Sequence, residues 1–204
     1  MDFYLRPLTN SDCISAASLH MKLIDSSGSA LGMEYLVPLY TMITNTPEKA
    51  SAWCVCTGSG GLIGLLTCTH DVGWYSKNRR LFHRDFLFAV IGKFLRGSFP
   101  LFEALWHART QKKLMKKYKA PYCSIQALCV DSAYQNRGLG RKLLEAVFHT
   151  CQKNVVNTVY VDTLRSNIQA QRFYKSVGFE RLQTIGDSVL FVKTIVPRDR
   201  RNRR

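Results

Sequence analysis

The segment between residues 122 and 151 constrains the fold more than any other part of this sequence. It starts with the apolar run YCSIQALCV, passes through the loop QNRGLG at residues 135–140, and continues as GLGRKLLEAVFHTC. Apolar side chains in the last stretch recur at the spacing of one helix face: Leu139, Leu143, Leu144, Val147 and Cys151. A strand that leads through a short glycine-containing loop into a helix is typical of an α/β fold.

The elements on either side can be assigned in the same way. Towards the C-terminus, TVYVDTL predicts a strand, NIQAQRFYKSV a helix that ends at Gly178, and FERLQTI with SVLFVKTIV a hairpin. Towards the N-terminus, FYLRPLT predicts a strand, NSDCISAASLHMKLI a helix, and DSSGSA a break. LGMEYLVPLYTMI predicts a second helix, kinked or divided at Pro38, and SAWCVCTGSGGLIGLLTCTH predicts a hairpin.

The length of 204 residues suits one α/β domain, or one domain with an insertion. We therefore expect a single domain over residues 1–197. The remaining segment at 198–204, RDRRNRR, is predicted to be a disordered arginine-rich tail.

Cysteine and histidine usage bears on the compartment and on metals. The seven cysteines lie mostly inside apolar runs, without a CxxC pair, and the five histidines show no metal-ligand spacing with them or with each other. The sequence therefore predicts free buried thiols in a reducing compartment and no metal site. The start MDFYLRPLTN lacks the pattern of a secretory signal, and no apolar run approaches the roughly 20 residues of a membrane-spanning helix. We expect a cytoplasmic protein without a transmembrane segment.

The positive charge is concentrated in two places. Of the formal charge of +15, residues 77–119 carry +10 and the tail carries +4. Within 71–121, LFHRDFLFAVIGKFL and FPLFEALWHARTQKKLMKKY predict a basic, aromatic helical hairpin inserted between the third and fourth strands. It could pack on the domain, cover a substrate groove, contact an anionic membrane surface, or bind an anionic partner such as RNA.

The loop QNRGLG has the features of a phosphate-binding loop. The backbone N–H groups of residues 136–141 lie at the open end of the following helix, where the helix dipole attracts an anion. Gly138 and Gly140 have no Cβ to keep a pyrophosphate away from these amides, and Arg137 and Arg141 add positive charge. The spacing matches neither a Walker loop nor a complete GxGxxG fingerprint.

Two motifs together carry a family resemblance. The pattern Q-x-x-G-x-G at Gln135, Gly138 and Gly140 is followed by NIQAQRFYKSVGF, and over residues 122–182 this combination resembles the GCN5-related N-acetyltransferases (GNAT). The segment YVDTLRSN is similar to LEVR-x-x-N of the ribosomal-protein alanine acetyltransferase branch. LGMEYLVPLY, with the later insertion, is similar to a bacterial subset of the family. The resemblance implies a mixed central sheet with flanking helices.

The resemblance also implies acetyl-coenzyme A as the co-substrate. In this family the loop binds the pyrophosphate, while the preceding strand separates from its neighbour, pairs with the pantetheine arm and polarises the acetyl carbonyl through an N–H group. The matching positions here are Leu128, Val130, Gln135, Asn136, Arg137, Gly138, Leu139, Gly140, Arg141 and Asn167.

Two catalytic positions are implied as well. Tyr174 occupies the family position of the acid that protonates the departing thiolate. Asp162 matches the glutamate that serves as base in the alanine acetyltransferase branch, and because aspartate is one methylene shorter it needs a relaying water. An aspartate that only faces solvent, or Glu34 as the base, remain alternatives.

The sequence supports two hypotheses of function. In the first, the chain transfers an acetyl group directly to a primary amine on a protein or peptide, an aminoacyl-tRNA, an amino sugar or a small amine. The basic charge favours an amine borne on an anionic partner such as RNA, a ribosome, a nucleotide sugar or a lipid. In the second, the fold is a binding module for nucleic acid or an anionic membrane surface. A homodimer is compatible with both.

Overall fold

The structure is a computed structural model that describes residues 2–70 and 121–195. The strands are β1 Phe3–Pro7, β2 Ala50–Thr57, β3 Leu62–Thr69, β4 Tyr122–Val130, β5 Thr158–Leu164, β6 Glu180–Ile185 and β7 Ser188–Thr194. The helices are α1 Cys13–Leu23, α2 Ser27–Leu31, α3 Met33–Asn45, α4 Leu139–Lys153 and α5 Ile168–Ser176, with 3₁₀ turns at Asn10–Asp12 and Ser132–Tyr134. The predicted insertion at 71–121 lies outside the described residues except for Pro121, and so does the tail.

The strands form one seven-stranded sheet in the order β1-β2-β3-β4-β5-β7-β6. Neighbouring strands are antiparallel except for β4 and β5, which are parallel. The parallel pair is connected through α4, because parallel neighbours need a long crossover. The predicted mixed central sheet with flanking helices is confirmed.

Each face of the sheet is covered by its own group of helices. The face that we call the α4 face packs the apolar sides of α4 and α5 against strands β2 to β5 and β7, with Leu143, Leu144 and Val147 fully buried. The opposite face, the α1 face, packs α1 and α3 against β2 and β3, with Leu36 and Tyr40 buried. The helices are held mainly by burial of these apolar stripes rather than by intrinsic helix propensity.

Two local features differ from, or refine, the sequence analysis. The break predicted at DSSGSA contains the short helix α2 at Ser27–Leu31. Pro38 lies inside α3 and does not end the helix, which continues to Asn45. Among the described helices, none combines the length and apolar character that are needed to cross a membrane.

Candidate active site

The central feature of the site is a gap between β4 and β5. The two strands pair from Tyr122 with Thr158 to Ile125 with Val161, and the pairing ends there. Beyond that point β4 continues to pair with β3 as far as Val130, while β5 continues to pair with β7 as far as Leu164. The two parallel strands therefore separate towards their C-terminal ends, and this is the separation that the family resemblance predicts.

A bulge in β4 lies where the gap begins. Thr67 of β3 pairs with Ala127 and Cys68 pairs with Ile125, so Gln126 is an extra residue on β4. One extra residue reverses the alternation of side chains. Ile125 packs in the α4-face core before the bulge, and Leu128 packs against that same core after it.

The backbone groups of Leu128 and Val130 face the gap. The N–H of Asp131 donates to the carbonyl oxygen of Ile63 over 2.8 Å, so Asp131 and Ile63 form a hydrogen-bonded pair. Such pairs alternate along antiparallel strands, and the register matches Val130 with Gly64 and Leu128 with Leu66. The N–H and C=O groups of Leu128 and Val130 therefore point away from β3 and towards β5. The backbone of β4 presents an extended edge to any ligand that lies in the gap.

The loop after β4 has a backbone that favours glycine and asparagine. Asn136 has φ of 60° and Gly138 has φ of 75°, both in the left-handed region. Gly138 is the N-cap of α4, and Lys142 makes a helical hydrogen bond back to the Gly138 carbonyl oxygen over 3.1 Å. The N–H groups of the first turn, at Leu139, Gly140 and Arg141, have no earlier helical carbonyl to bond. The open end of α4 can therefore bind a phosphate.

The two loop glycines are required for different reasons. A Cβ at Gly138 would meet no atom within 4 Å, so the constraint at Gly138 is its positive φ. A Cβ at Gly140 would lie 3.2 Å from the Phe173 ring of α5, so Gly140 allows α5 to pack closely on the first turn of α4. Gly140 therefore has a packing role in addition to the one that was predicted from the sequence.

Several predicted cofactor residues shape the site through contacts within the protein. Gln135 donates from Nε2 to the Val130 carbonyl oxygen over 3.0 Å and accepts at Oε1 from Gln169 over 3.3 Å, which joins the loop to β4 and α5. Asn167 caps α5 by accepting from the Ala170 N–H over 3.0 Å.

The two arginines of the loop also have protein contacts. The Arg137 guanidinium lies 5.8 Å from the ring centre of Tyr134 and 5.9 Å from that of Phe3. Arg141 donates to the Ser176 carbonyl oxygen over 3.3 Å, at the C-terminal end of α5. The positive charge of the loop is therefore held in place by aromatic and backbone contacts.

One ion pair at this end of β4 was missed by the sequence analysis. Nζ of Lys22, in α1, lies 2.8 Å from Oδ2 of Asp131, whose other oxygen accepts from the Ala133 N–H over 3.1 Å. The hydrogen bond from Lys22, followed by that from Ala133, lowers the pKa of Asp131. The two charged residues are more than a hundred positions apart, so no local pattern could have joined them.

Tyr174 lies beside the gap on the α4 face. It is buried, and its ring centre lies 5.5 Å from that of Phe173, 5.6 Å from that of Phe179 and 6.0 Å from that of Phe191. Burial raises the pKa of Tyr174 well above its ordinary value, and the negative charge of Asp162 raises it further. The phenol therefore stays protonated over the physiological pH range.

Asp162 lies on β5, the second strand that borders the gap, at the point where the gap begins. It follows Val161, the last β5 residue that pairs with β4, and it pairs with Leu190 of β7. Since Val161 points into the α4-face core, the Asp162 side chain points to the α1 face. Glu34 is exposed in the first turn of α3. The charge of Asp162 contributes to the raised pKa of Tyr174 after the larger effect of burial, so the two predicted catalytic residues influence each other from opposite faces of the sheet.

These features define the GNAT fold: a mixed sheet whose parallel strands separate beside a glycine-containing loop and a helix N-terminus. The sequence model of the acetyltransferase (GNAT) family matches residues 99–179. Over that segment the chain is similar to the GNAT family, and its motifs are similar to those of the ribosomal-protein alanine acetyltransferases.

The similarity to individual proteins is local in sequence and extensive in structure. A [ribosomal protein bS18]-alanine N-acetyltransferase from Haemophilus ducreyi is 38% identical over 55 residues, which are 27% of this chain and 38% of that protein. The crystal structure of the ribosomal-protein-S18-alanine N-acetyltransferase from Escherichia coli has a TM-score of 0.59 at 14% identity and covers 98% of both chains. Arabidopsis thaliana NAA60 in complex with acetyl-CoA has a TM-score of 0.61 at 18% identity and covers 95% of this chain and 99% of that one. The matched segment spans less than two fifths of the first relative, and at these identities the structural matches show the fold alone.

Proposed function

We propose that this chain is an acetyl-coenzyme A-dependent N-acetyltransferase that transfers the acetyl group directly to a primary amine. The observation that carries the proposal is the gap between β4 and β5, which has an anion-binding helix end beside it and both Tyr174 and Asp162 at its margin. An extended pantetheine arm, a pyrophosphate and a thioester need these three features in that arrangement.

The residues present suit acetyl-coenzyme A as a substrate. The amides at the start of α4 would bind the pyrophosphate, and the backbone of Leu128 and Val130 would pair with the amide groups of the pantetheine arm. The N–H of Leu128 or of Val130 would donate to the thioester carbonyl oxygen, which gains negative charge during attack. The Val130 carbonyl already accepts from Gln135, so the loop and the strand edge are held as one unit.

Two proton transfers are then assigned to side chains. Asp162, on the α1 face at the start of the gap, accepts through a water the proton that the acceptor ammonium loses before the neutral amine attacks. Tyr174 donates its proton to the departing thiolate from the opposite face. Its neighbour Cys129 is not the nucleophile in this scheme, since burial raises the pKa of Cys129 to about 12 and keeps the thiol protonated.

We infer that the acceptor is the α-amine of a protein N-terminus. The relatives with local similarity are named alanine N-acetyltransferases of ribosomal protein bS18. An α-ammonium has a pKa of about 8, whereas that of a lysine side chain is about 10.4, so a carboxylate acting through water suits the α-amine better. A ribosomal protein is also an acceptor on an anionic particle, which agrees with the net charge of +15.

A peptide assay tests both the reaction and the acceptor. Purified protein with acetyl-coenzyme A is offered matched peptides that have a free N-terminus, a blocked N-terminus with an internal lysine, or both. Acetylation of the free α-amine, read by mass spectrometry, is the expected result. Thioester turnover with acetylation of lysine alone would retain the reaction and reject the acceptor. Absence of acetyl-coenzyme A binding by calorimetry would reject the enzyme.

A pH profile tests the proposed base. Asp162→Asn should lower kcat by about tenfold or more and remove the acid-side fall of the kcat profile, which reports a base that must be unprotonated. An unchanged profile would show that Asp162 only faces the solvent, and Glu34→Gln would then be the variant to measure.

A further inference from the structure

Three soft side chains from distant parts of the chain meet at the end of the sheet that lies away from the gap. His70 follows the last residue of β3, Cys123 is the second residue of β4, and Cys151 lies in α4 near its C-terminal end. One candidate ligand atom of each residue lies within 4.8 Å of the others. Both thiols are fully buried.

One ring nitrogen of His70 lies close to a polar group of the protein. The other has no hydrogen-bond partner among the described residues. Nε2 lies 3.3 Å from the Ser51 hydroxyl oxygen. Nδ1 is buried, and among the described residues it has no hydrogen-bond partner. A buried polar atom without a partner is costly, and a ring nitrogen held in this way by an outer hydrogen bond is typical of a metal-binding histidine.

A third thiol lies beside this group. Cys68 is buried in β3 close to Cys123 and is the candidate for the fourth ligand. Cys₃His is an established tetrahedral ligand set for Zn²⁺, in which a Zn–S bond of about 2.3 Å gives sulfur atoms about 3.8 Å apart. The ligand atoms of His70, Cys123 and Cys151 lie within 4.8 Å of one another, about one ångström more than this spacing, so side-chain adjustment is enough for these three.

The ligand set fixes the charge of the site. Two thiolates and one neutral imidazole neutralise Zn²⁺, and the Cys68 thiolate as fourth ligand gives the site one negative charge. Zn²⁺ displaces the protons of these thiols to solvent when it binds, because the thiolate is the metal ligand.

We propose that His70, Cys123 and Cys151, together with Cys68, form a structural Zn²⁺ site. The site is structural because Cys123 lies at the paired end of β4, roughly 20 Å along the strand from Val130 at the open end. His70 and Cys123 also flank residues 71–121, so a metal ion bound by both closes the chain around that segment. This inference does not depend on the acetyltransferase activity.

Cobalt spectroscopy tests the site directly. The full chain, reduced and freed of metal by a chelator, is titrated with Co²⁺ and then with Zn²⁺. We expect one equivalent of Co²⁺ to produce thiolate-to-cobalt charge transfer and tetrahedral d–d absorption, and Zn²⁺ to remove both. Zn²⁺ should also raise Tm and release protons in weak buffer. Weak octahedral cobalt absorption without charge transfer would overturn the proposal.

Variants distinguish the site from adventitious thiol binding. His70→Gln and Cys151→Ala should each weaken Zn²⁺ binding by more than about 100-fold, and Ser51→Ala by about tenfold, as expected for an outer partner. Cys54→Ala is the matched control, because Cys54 and Cys56 are buried thiols 3.9 Å apart without an imidazole between them.

His70→Gln keeps the proposal testable if a cysteine variant does not fold, since it leaves the buried thiols unchanged. Its fold is checked by circular dichroism before titration. Unchanged Zn²⁺ affinity in a folded His70→Gln protein, or an equal loss in Cys54→Ala, would show that the cluster is ordinary core packing.

Discussion

The two ends of β4 differ in how they pair with neighbouring strands. At its start, Cys123 is buried and pairs with Val159 of β5. At its end, Leu128 and Val130 pair with β3 alone and turn their other backbone groups towards the gap. The bulge at Gln126 divides the two. A single extra residue therefore separates the part of the strand that stabilises the fold from the part that is available to a ligand.

The largest expected effect is a loss of turnover when the hydroxyl group of Tyr174, beside the open end of β4, is removed. Tyr174→Phe should lower kcat by about 10²-fold or more with little change in KM, because the proton donor is lost while the ring packing on Phe179 and Phe191 remains. Steady-state thioester cleavage measures the effect, and thermal unfolding is the control. If kcat is unchanged, Tyr174 is a packing residue.

A substitution at the paired end of β4 should change the stability of the protein and leave its affinity for acetyl-coenzyme A nearly unchanged. Val159 pairs with Cys123 and is fully buried, so Val159→Ala should lower the free energy of unfolding by about 2 kcal/mol through lost burial and a small cavity. Denaturant unfolding measures this change. The affinity for acetyl-coenzyme A, measured by calorimetry on the same protein, should stay within about twofold. A large loss of affinity would mean that the two ends are not independent.

A substitution in the loop should change ligand affinity. Gly138→Ala makes φ of 75° unfavourable by about 1–2 kcal/mol, so in the free protein the loop leaves this conformation and acetyl-coenzyme A should bind roughly tenfold more weakly. Gly138→Asn is the matched control, because asparagine tolerates the left-handed region and should lose less affinity. Equal losses in the two variants would assign the effect to side-chain size and not to backbone conformation.

The smallest expected effect is on the ion pair that joins α1 to the open end. Lys22 is exposed and its pair is screened by solvent, so Lys22→Met should leave the free energy of unfolding nearly unchanged. Because the pair lowers the pKa of Asp131, its removal should raise that pKa, which carboxylate NMR can follow. An unshifted Asp131 would show that the Ala133 N–H alone sets its charge.

Much of the architecture could be predicted because its signals are local. The apolar face of α4, the loop QNRGLG and the cap at Asn167 depend on residues within a few positions of one another. The strand-and-helix order after residue 121 follows from the same short-range patterns. The roles assigned to Leu128, Val130 and Asp162 came from family resemblance, and they stay predictions until they are measured.

The contacts that were not predicted join residues far apart in the sequence. The Phe173 ring leaves little room for a Cβ at Gly140, and Lys22 forms an ion pair with Asp131. The prediction that there is no metal site rested on spacing along the chain, and spacing says nothing about His70, Cys123 and Cys151, which meet only when β3, β4 and α4 pack together.

The sequence by itself determined the order of elements after residue 121, the glycine-containing loop and the family resemblance, because helix periodicity, turn chemistry and short motifs are properties of neighbouring residues. Only the tertiary structure decided where β4 leaves β5, which backbone groups face the gap and which thiols surround His70. The register of strands and the packing of helices set those positions, and both depend on the whole core.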